Sequence, residues 1–422
     1  MKTDVLALPG RPARTPKPDF LQAFAERALC DRLALLDEGE IVLAQGNETL
    51  RFGRHTAACP LSVKLRVHDR RFWTELAFGG SIGAGESYMQ GDWSTDDLTG
   101  LVRIMLRNRK VLDGMDSGLA RLTAPIQKAL HFASRNTRSG SRRNIAAHYD
   151  LGNDFFALFL DPTMMYSSAV FERDDMTLEQ ASIAKLDRIC RKLELKPGDR
   201  VLEIGTGWGS FAMHAVQHYG CHVTTTTISR QQHDLARERI ARAGLTGRVQ
   251  LLLEDYRDLR GQYDRLVSIE MIEAVGHEYY DNYFGRCSAL LAPHGMLLLQ
   301  AITIADQRYD SARRSVDFIQ RHIFPGSCIP SVSAMAASVA RATDMKLFHM
   351  DDIGPHYART LALWRAQLLA NRGQVRALGY SEEFIRLWEF YFCYCEGGFE
   401  ERAIGDVQML LVKPEARPQS VL

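Results

Sequence analysis

The sequence predicts an α/β protein: a doubly wound, mostly parallel sheet of seven strands, with a smaller α+β domain on its N-terminal side. From residue 200 onward, short apolar segments alternate with helix-length segments, which is the pattern of parallel strands joined by crossover helices. Before that point, apolar residues recur at helical spacing in one region and alternate with polar residues in another. The 422 residues, 46% of them hydrophobic, suffice for more than one domain core.

Helix and strand patterns follow one another in the first hundred residues. Residues 1–18 are rich in proline and charge and are predicted to be a flexible arm. Helical spacing of apolar residues predicts a helix between 20 and 35, and strict alternation predicts a strand at 61–67. Five glycines between 79 and 91 predict a loop, and an apolar segment at 98–106 predicts a helix.

Seven apolar segments of strand length make up the predicted sheet. A helix precedes them, because Thr177 and Gln180 form a capping-box pattern and Lys196-Pro197-Gly198 would end the helix. Helix-length connections between most of the segments favour a parallel order. The predicted strands cover residues 200–204, 223–228, 249–253, 264–270, 296–302, 346–350 and 407–412.

Charge is balanced overall but not locally. The 52 basic and 51 acidic side chains leave a formal net charge of +1, which argues against a protein that binds nucleic acid through its overall charge. Residues 103–143, however, hold ten Lys and Arg against Asp113 and Asp116. Such an excess fits a solvated linker or a contact with anionic phospholipid head groups.

The predicted organisation is an arm at 1–18, an α+β domain at 19–102, a basic linker at 103–143 and the doubly wound domain at 144–422.

Membrane-spanning and metal sites are not expected. The first 30 residues lack the apolar core of a signal peptide, and no apolar segment is long enough to cross a bilayer. The eight cysteines are scattered, and Cys393 and Cys395 lack further ligands nearby, so we predict no metal site. These observations predict a cytoplasmic protein.

A glycine-rich segment follows the first predicted strand of the large sheet and leads into a helix. Gly205, Gly207 and Gly209 allow a sharp turn and a close approach of the backbone to a ligand. The dinucleotide fingerprint does not fit, because its last glycine position is Ser210 and the ribose-binding acid expected about 20 residues later is replaced by the neutral residues Thr224–Thr227.

The glycine segment, with Glu203 inside the strand, resembles the motif of class I S-adenosylmethionine-dependent methyltransferases. That resemblance implies that Glu203 and the three glycines contact S-adenosylmethionine. It also implies that residues after the second and third strands bind the ribose and adenine of this cofactor. Those residues are Thr227, Ser229, Gln232, Asp255, Tyr256 and Arg257.

A longer set of motifs narrows the resemblance to the cyclopropane-fatty-acyl-phospholipid synthase family. It covers about residues 140 to 414 and extends weakly to Gly85-Glu86-Ser87-Tyr88-Met89. The motifs are NIAAHYDLGN (144–153), MYSS (165–168), SRQQ (229–232), EDYRD (254–258), EMIEAVG (270–276), IFPG (323–326), HY (356–357) and LALW (361–364).

The resemblance implies methyl transfer from S-adenosylmethionine to the double bond of an unsaturated phospholipid acyl chain. An alkene attacks the sulfonium methyl with its π electrons and leaves a carbocation, which closes to a cyclopropane when the transferred methyl loses a proton. The implied partner is an unsaturated phospholipid in an anionic membrane, with the protein peripheral at the inner face. No nucleic acid is expected, and the oligomeric state, a homodimer included, stays open.

The resemblance also implies the catalytic residues. In the family, a bound bicarbonate takes the proton and is held by a carboxylate, a tyrosine, a histidine and a cysteine. In this sequence the carboxylate is Glu273, the tyrosine is Tyr357, and Ile302 supplies a backbone contact. The cysteine position is Ser168 and the histidine position is Gln300, both of which can still hydrogen-bond an anion. Tyr166 and Ser167 are implied as cofactor contacts.

Two other functions stay open at this point. The same carbocation can lose a proton from the chain instead, which would give a methylene- or methyl-branched acyl group. A non-catalytic protein that binds S-adenosylmethionine or lipid is the alternative of another class, and Glu273 and Tyr357 argue against it. Methylation of nucleic acids or small molecules is disfavoured, because the sequence has no N-P-P-Y-like motif.

Overall fold

The computed structural model describes residues 19–111 and 151–419, with residues 113, 140 and 144 between them. The chain forms two compact units. The first contains the described residues up to 133 with Ser315–Ile323 and Leu361–Ala403, and the second contains the remaining described residues. The predicted arm at 1–18 and most of the predicted basic linker lie outside the described residues. The domain boundaries proposed from the sequence therefore remain predictions.

The first unit is α+β, as expected. Its four strands are β1 (Gly39–Gln45), β2 (Glu48–Arg54), β3 (Ser62–Val67) and β4 (Trp93–Thr95), in the spatial order β2-β1-β3-β4. Strand β1 pairs antiparallel with β2 and parallel with β3. The helices are α1 (Asp19–Leu33), α2 (Arg71–Met89), α3 (Leu98–Arg107), α10 (Phe318–His322), α13 (Arg372–Ala377) and α14 (Glu382–Glu400).

Four of the five glycines between 79 and 91 are helical rather than in a loop, so the prediction was wrong for them, whereas Gly91 lies in the turn after the helix. Gly79, Gly80, Gly83 and Gly85 lie inside α2, which is kinked at Gly80 (φ 56°, ψ −139°). A Cβ atom on Gly85 would lie 2.4 Å from the Phe318 ring. Glycine is present there because the helix packs closely against a neighbour, a requirement that sequence pattern alone does not reveal.

The second unit is the doubly wound sheet. Its order is β10-β11-β9-β8-β5-β6-β7, and the pairs among β9, β8, β5, β6 and β7 are parallel, whereas β11 runs antiparallel to β9 and β10. The predicted fold class is confirmed. The strands are β5 (Arg200–Ile204), β6 (His222–Thr226), β7 (Val249–Leu252), β8 (Tyr263–Ile269), β9 (Leu291–Ile304), β10 (Lys346–Asp352) and β11 (Ile404–Val412). The helices are α4 (Asn153–Phe156), α5 (Leu178–Lys192), α6 (Ser210–Tyr219), α7 (Arg230–Arg242), α8 (Tyr280–Leu290), α9 (Asp306–Ala312) and α11 (Val332–Ala342), while α12 (Gly354–Ala370) begins in this unit.

Both faces of this sheet are buried, because helices pack on each side. Val201 belongs to one apolar cluster and its neighbour Leu202 to another, as the alternation of side chains along a strand requires. Since β5 to β8 are mutually parallel, their carboxyl ends meet at one edge, which is where ligands bind in such folds. In the part of the chain that the structure describes, no helix has the length and hydrophobicity needed to cross a bilayer.

Candidate active site

The glycine segment leaves the carboxyl end of β5 at this edge. Gly205, Gly207 and Gly209 have φ angles of 104°, 52° and 87°, in the left-handed region that disfavours residues with a Cβ. A Cβ on Gly207 would meet nothing within 4 Å, so open space adjoins the backbone here, as a bound cofactor requires. Glu203 is buried and accepts a 2.6 Å hydrogen bond from Thr225, and burial raises its pKa to about 8.

The predicted ribose and adenine residues lie at the ends of the next two strands. Thr227 donates to Gln232 Oε1 over 2.9 Å, and the hydroxyl of Ser229 caps helix α7 by accepting from the Gln232 amide. After β7, the Arg257 guanidinium donates to both oxygens of Asp255 at 2.8 and 2.6 Å. The structure therefore places both groups at the same sheet edge as the glycine segment, and their roles stay predictions.

Tyr166 and Ser167 lie on the segment before helix α5. The Tyr166 ring packs 5.4 Å from Phe156 and 6.4 Å from Phe324. Ser167 accepts a 2.7 Å hydrogen bond from Lys185, whose side chain is fully buried. Burial lowers the pKa of Lys185 to about 8, against the opposing effect of nearby carboxylates.

Three of the predicted catalytic residues converge on a carboxylate that was not predicted. The Ser168 amide and Gln300 Nε2 donate to Glu270 Oε1 at 2.9 and 2.7 Å, and the Tyr357 hydroxyl donates to Oε2 at 2.7 Å. The Ser168 hydroxyl instead donates to the neighbouring carbonyl of Ala169. Tyr357 therefore hydrogen-bonds to Glu270, a residue that the sequence analysis did not select.

Gln300 is held by strand pairing. It lies opposite Ile269 on β8 and Gln408 on β11. Its Oε1 accepts from Gln408 over 3.1 Å, and its Nε2 donates to Asp406 at 3.0 Å as well as to Glu270. Gln300, Gln408 and Asp406 are each fully buried. Hydrogen bonds to both Oε1 and Nε2 therefore determine the orientation of the Gln300 side-chain amide.

Glu273 and Ile302, both predicted, are in contact. Glu273 Oε1 accepts a 2.6 Å hydrogen bond from the Ile302 amide, and the Glu273 carbonyl accepts from the Cys328 amide at 2.8 Å. Oε2 of Glu273 is buried and has no hydrogen-bond partner among the described residues. Burial and then the charge of Glu270 raise the pKa of Glu273 to about 8.

The buried charges at this edge are predominantly acidic. Burial raises the pKa values of Glu270 and Asp406 as well as that of Glu273, because desolvation disfavours their ionised forms. Lys185 is the cation whose field opposes this effect at Glu270 and Asp406. An acid-rich interior of this kind favours a positively charged ligand or intermediate.

Comparison with known proteins identifies the family. A family profile described as mycolic acid cyclopropane synthetase matches residues 136–409. The chain belongs to the mycolic acid cyclopropane synthetase family. The tuberculostearic acid methyltransferase UfaA1 of Mycobacterium tuberculosis is 39% identical over 368 residues, which is 85% of each chain. The cyclopropane-fatty-acyl-phospholipid synthase of Escherichia coli strain K12 is 39% identical over 343 residues, 81% of this chain and 85% of its own.

Membership of this family confirms the enzyme class and the fold. The structure of mycolic acid cyclopropane synthase CmaA1 complexed with SAH and CTAB superimposes with a TM-score of 0.61 at 37% identity, covering 64% of this chain and 98% of the other. The chain is a methyltransferase of the cyclopropane synthase type, and S-adenosylmethionine is its cofactor. The open backbone at Gly207 and the acidic interior fit that cationic ligand.

Sequence analysis did not select three residues that contact the predicted site residues. Glu270 was visible in the EMIEAVG motif at a strand end, but the pattern does not distinguish it from Glu273. Asp406 lies inside a buried strand, where a carboxylate is rare. Lys185 lies inside an amphipathic helix, whose charged residues are ordinarily solvent-exposed. The burial of Asp406 and Lys185 was the decisive signal, and it is visible only in the structure.

Proposed function

We propose that this enzyme transfers a methyl group to the double bond of an unsaturated phospholipid acyl chain and closes a cyclopropane ring. The observation that supports it is the position of the Glu270 and Glu273 carboxylates beside the cofactor loop. A Cβ on Gly205 would lie 3.5 Å from Met271, the residue that separates Glu270 from Ile272 and Glu273. The loop and the acidic cluster therefore adjoin, so that one ligand can contact both.

The proposed chemistry follows from this arrangement. Bound S-adenosylmethionine supplies an electrophilic methyl group. An alkene acceptor has no N–H or O–H proton to remove first, so the site needs no base for the attack itself. A carbocation must then be stabilised without being trapped, and the ionised forms of these carboxylates provide favourable charge near it. Loss of one proton from the transferred methyl closes the ring.

The position of the proton that leaves distinguishes the proposed product from the branched alternative. With methyl-trideuterated S-adenosylmethionine and unsaturated phospholipid vesicles, ring closure should leave two deuterons in the added carbon. A route that deprotonates the chain keeps all three at first. Mass spectrometry of the released acyl chains distinguishes the two routes. Full retention of label in the main product would show that the enzyme forms a branched chain instead of a ring.

A branched product is the second candidate because of one relative. The tuberculostearic acid methyltransferase UfaA1 is as similar to this chain, at 39% identity, as the Escherichia coli synthase is. Ser168 and Gln300 stand where the resemblance expects cysteine and histidine, so the proton acceptor has different neighbours here. A displacement of the acceptor by about 1 Å can cost on the order of a hundredfold in rate. Such a shift would alter whether the carbocation closes to a ring or gives the branched product.

We further propose that the protein docks peripherally on anionic bilayers at the cytoplasmic face through its basic segment, residues 103–143. Two of its ten basic side chains form ion pairs within the first unit: Arg103 and Arg107 each pair with Glu401 at 2.8 Å. Most of the others lie outside the described residues. Changing Arg135, Arg138, Arg142 and Arg143 to Ser should reduce co-sedimentation with phosphatidylglycerol vesicles. Added salt should weaken wild-type binding too, because the Debye length is about 8 Å at physiological ionic strength.

A control with the same charge change tests the position of these arginines. Arg51, Arg173, Arg237 and Arg314 have side chains 66%, 64%, 65% and 67% exposed. Exposed ion pairs contribute little stability, so changing these four to Ser should leave folding intact. Equal loss of vesicle binding in both variants would indicate net charge alone, and no loss in either would leave the segment as a plain linker.

Bicarbonate as proton acceptor remains the implication of the family resemblance. It requires Glu273, Tyr357, Ser168 and Gln300 to surround a small anion together. Dependence of turnover on bicarbonate tests it directly.

A further inference from the structure

Three of the residues implied for bicarbonate binding already donate hydrogen bonds to a carboxylate. The Ser168 amide, Gln300 Nε2 and the Tyr357 hydroxyl all donate to the Glu270 carboxylate, at 2.9, 2.7 and 2.7 Å. They come from three separate parts of the chain, 102, 30 and 87 residues from Glu270. A carboxylate and a bicarbonate both present two oxygens in a plane, so the same three donors suit either.

The backbone conformation of Glu270 is also unusual. Its φ is 48°, in the left-handed region where a residue with a Cβ is strained. Its amide donates to the Gln300 carbonyl at 2.8 Å, which holds the main chain at the end of β8 in this conformation. Strained residues of this kind persist only where their surroundings impose them, and they cluster at functional sites.

A second anion would be unfavourable in this position. Bicarbonate would add negative charge beside Glu270, Glu273 and Asp406, whose mutual repulsion already contributes to raising the pKa values of Glu273 and Asp406. It would also have to displace Glu270 from its three donors. The side-chain hydroxyl of Ser168 is directed to the Ala169 carbonyl, so it offers no compensating contact.

We propose that the Glu270 carboxylate occupies the anion site and is itself the proton acceptor of the reaction. This rests on the proposed function. A C–H bond of the transferred methyl breaks, its proton passes to a Glu270 oxygen, and its electron pair forms the C–C bond that closes the ring on the cationic carbon. Tyr357 and Gln300 orient the acceptor, and Ser168 contributes only its backbone amide, which a cysteine would supply equally.

Direct binding tests the occupancy of the site independently of turnover. Glu270→Gly removes the side chain, and glycine suits the observed φ of 48°. Calorimetric titration with sodium bicarbonate, and separately with sodium formate, should show no millimolar binding to the wild-type protein and clear binding to Glu270→Gly. Glu194→Gly is the matched control, because Glu194 has a φ of 49° away from this site, and it should behave as wild type. Bicarbonate binding to the wild-type site would overturn the proposal.

Turnover then tests the role of Glu270 as acceptor. In carbonate-free buffer the wild-type enzyme should keep its full rate. Glu270→Gly and Glu270→Gln should each lose about 10²-fold or more, the usual contribution of a positioned base. Formate or bicarbonate should restore Glu270→Gly by about tenfold or more but not Glu270→Gln, whose amide fills the site without accepting a proton. S-adenosylmethionine affinity should stay within a few-fold in both variants.

The outcomes separate this inference from the function on which it rests. A wild-type enzyme that methylates lipid only when bicarbonate is added, or a Glu270→Gln variant of normal turnover, would overturn the role of Glu270. A wild-type enzyme that never methylates lipid would instead overturn the proposed function and the proton-transfer step with it. Calorimetry would still decide, in that case, whether Glu270 fills the anion site.

Discussion

Gly207→Val is expected to abolish S-adenosylmethionine binding. The backbone of Gly207 has a φ of 52° and faces open space, with no atom within 4 Å of an added Cβ. A valine there would project two methyl groups into the volume that the cofactor needs, and it would strain the turn after β5 by about 1–2 kcal/mol. Calorimetry should show affinity reduced by more than about a hundredfold, equivalent to roughly 2.8 kcal/mol.

A control separates ligand exclusion from backbone strain. Gly244 has a φ of 70°, likewise meets no atom within 4 Å, and lies beyond helix α7 away from the glycine segment. Gly244→Val should lower the free energy of unfolding by a similar amount and bind S-adenosylmethionine normally. Wild-type affinity in a folded Gly207→Val protein would show that the cofactor does not use this loop.

Above pH 8, where the Glu273 carboxyl is ionised, Glu273→Gln is expected to lower turnover on the order of a hundredfold while cofactor affinity changes little. The amide can still accept the 2.6 Å hydrogen bond from Ile302, so the local backbone should be preserved. What is lost is the negative charge beside a developing carbocation, and charge stabilisation of this kind typically contributes 10²–10³-fold in rate, or about 2.7–4 kcal/mol. Steady-state rates and calorimetric affinities measured on the same preparation give the comparison.

The pH profile adds a second readout for Glu273. Its pKa is raised to about 8, so the carboxyl is mostly neutral below that pH and ionised above it. If the ionised form stabilises the cation, wild-type turnover should rise as pH increases through 8, and this component should be missing in Glu273→Gln. Glu278→Gln, an exposed position on the same segment, is the control and should retain the wild-type profile. An unchanged rate and profile in Glu273→Gln would leave Glu273 with a structural role.

Local patterns in the sequence were enough for the large sheet. The capping box at Thr177 and Gln180 forms as predicted, and each predicted strand of the sheet is present with shifts of a few residues at its ends. Periodicity succeeds here because strands buried on both faces are short apolar segments, and the crossover helices between them are helix-length segments. It failed at α2, where glycines that permit close packing were interpreted as a loop.

The sequence by itself determined the fold class, the family and the cofactor, because these depend on strand-loop-helix order and on motifs contiguous in the chain. The hydrogen-bond partners of the predicted catalytic side chains depended on tertiary structure. Tyr357 meets Glu270 across 87 residues and Gln300 meets Asp406 across 106, through strand order and register that no local pattern encodes. A carboxylate three residues from Glu273 in sequence thus receives the hydrogen bonds that the resemblance assigned to a bound anion. The physical reason is that chain spacing determines which edge of the sheet a residue reaches, whereas the folded packing determines which donors surround its side chain.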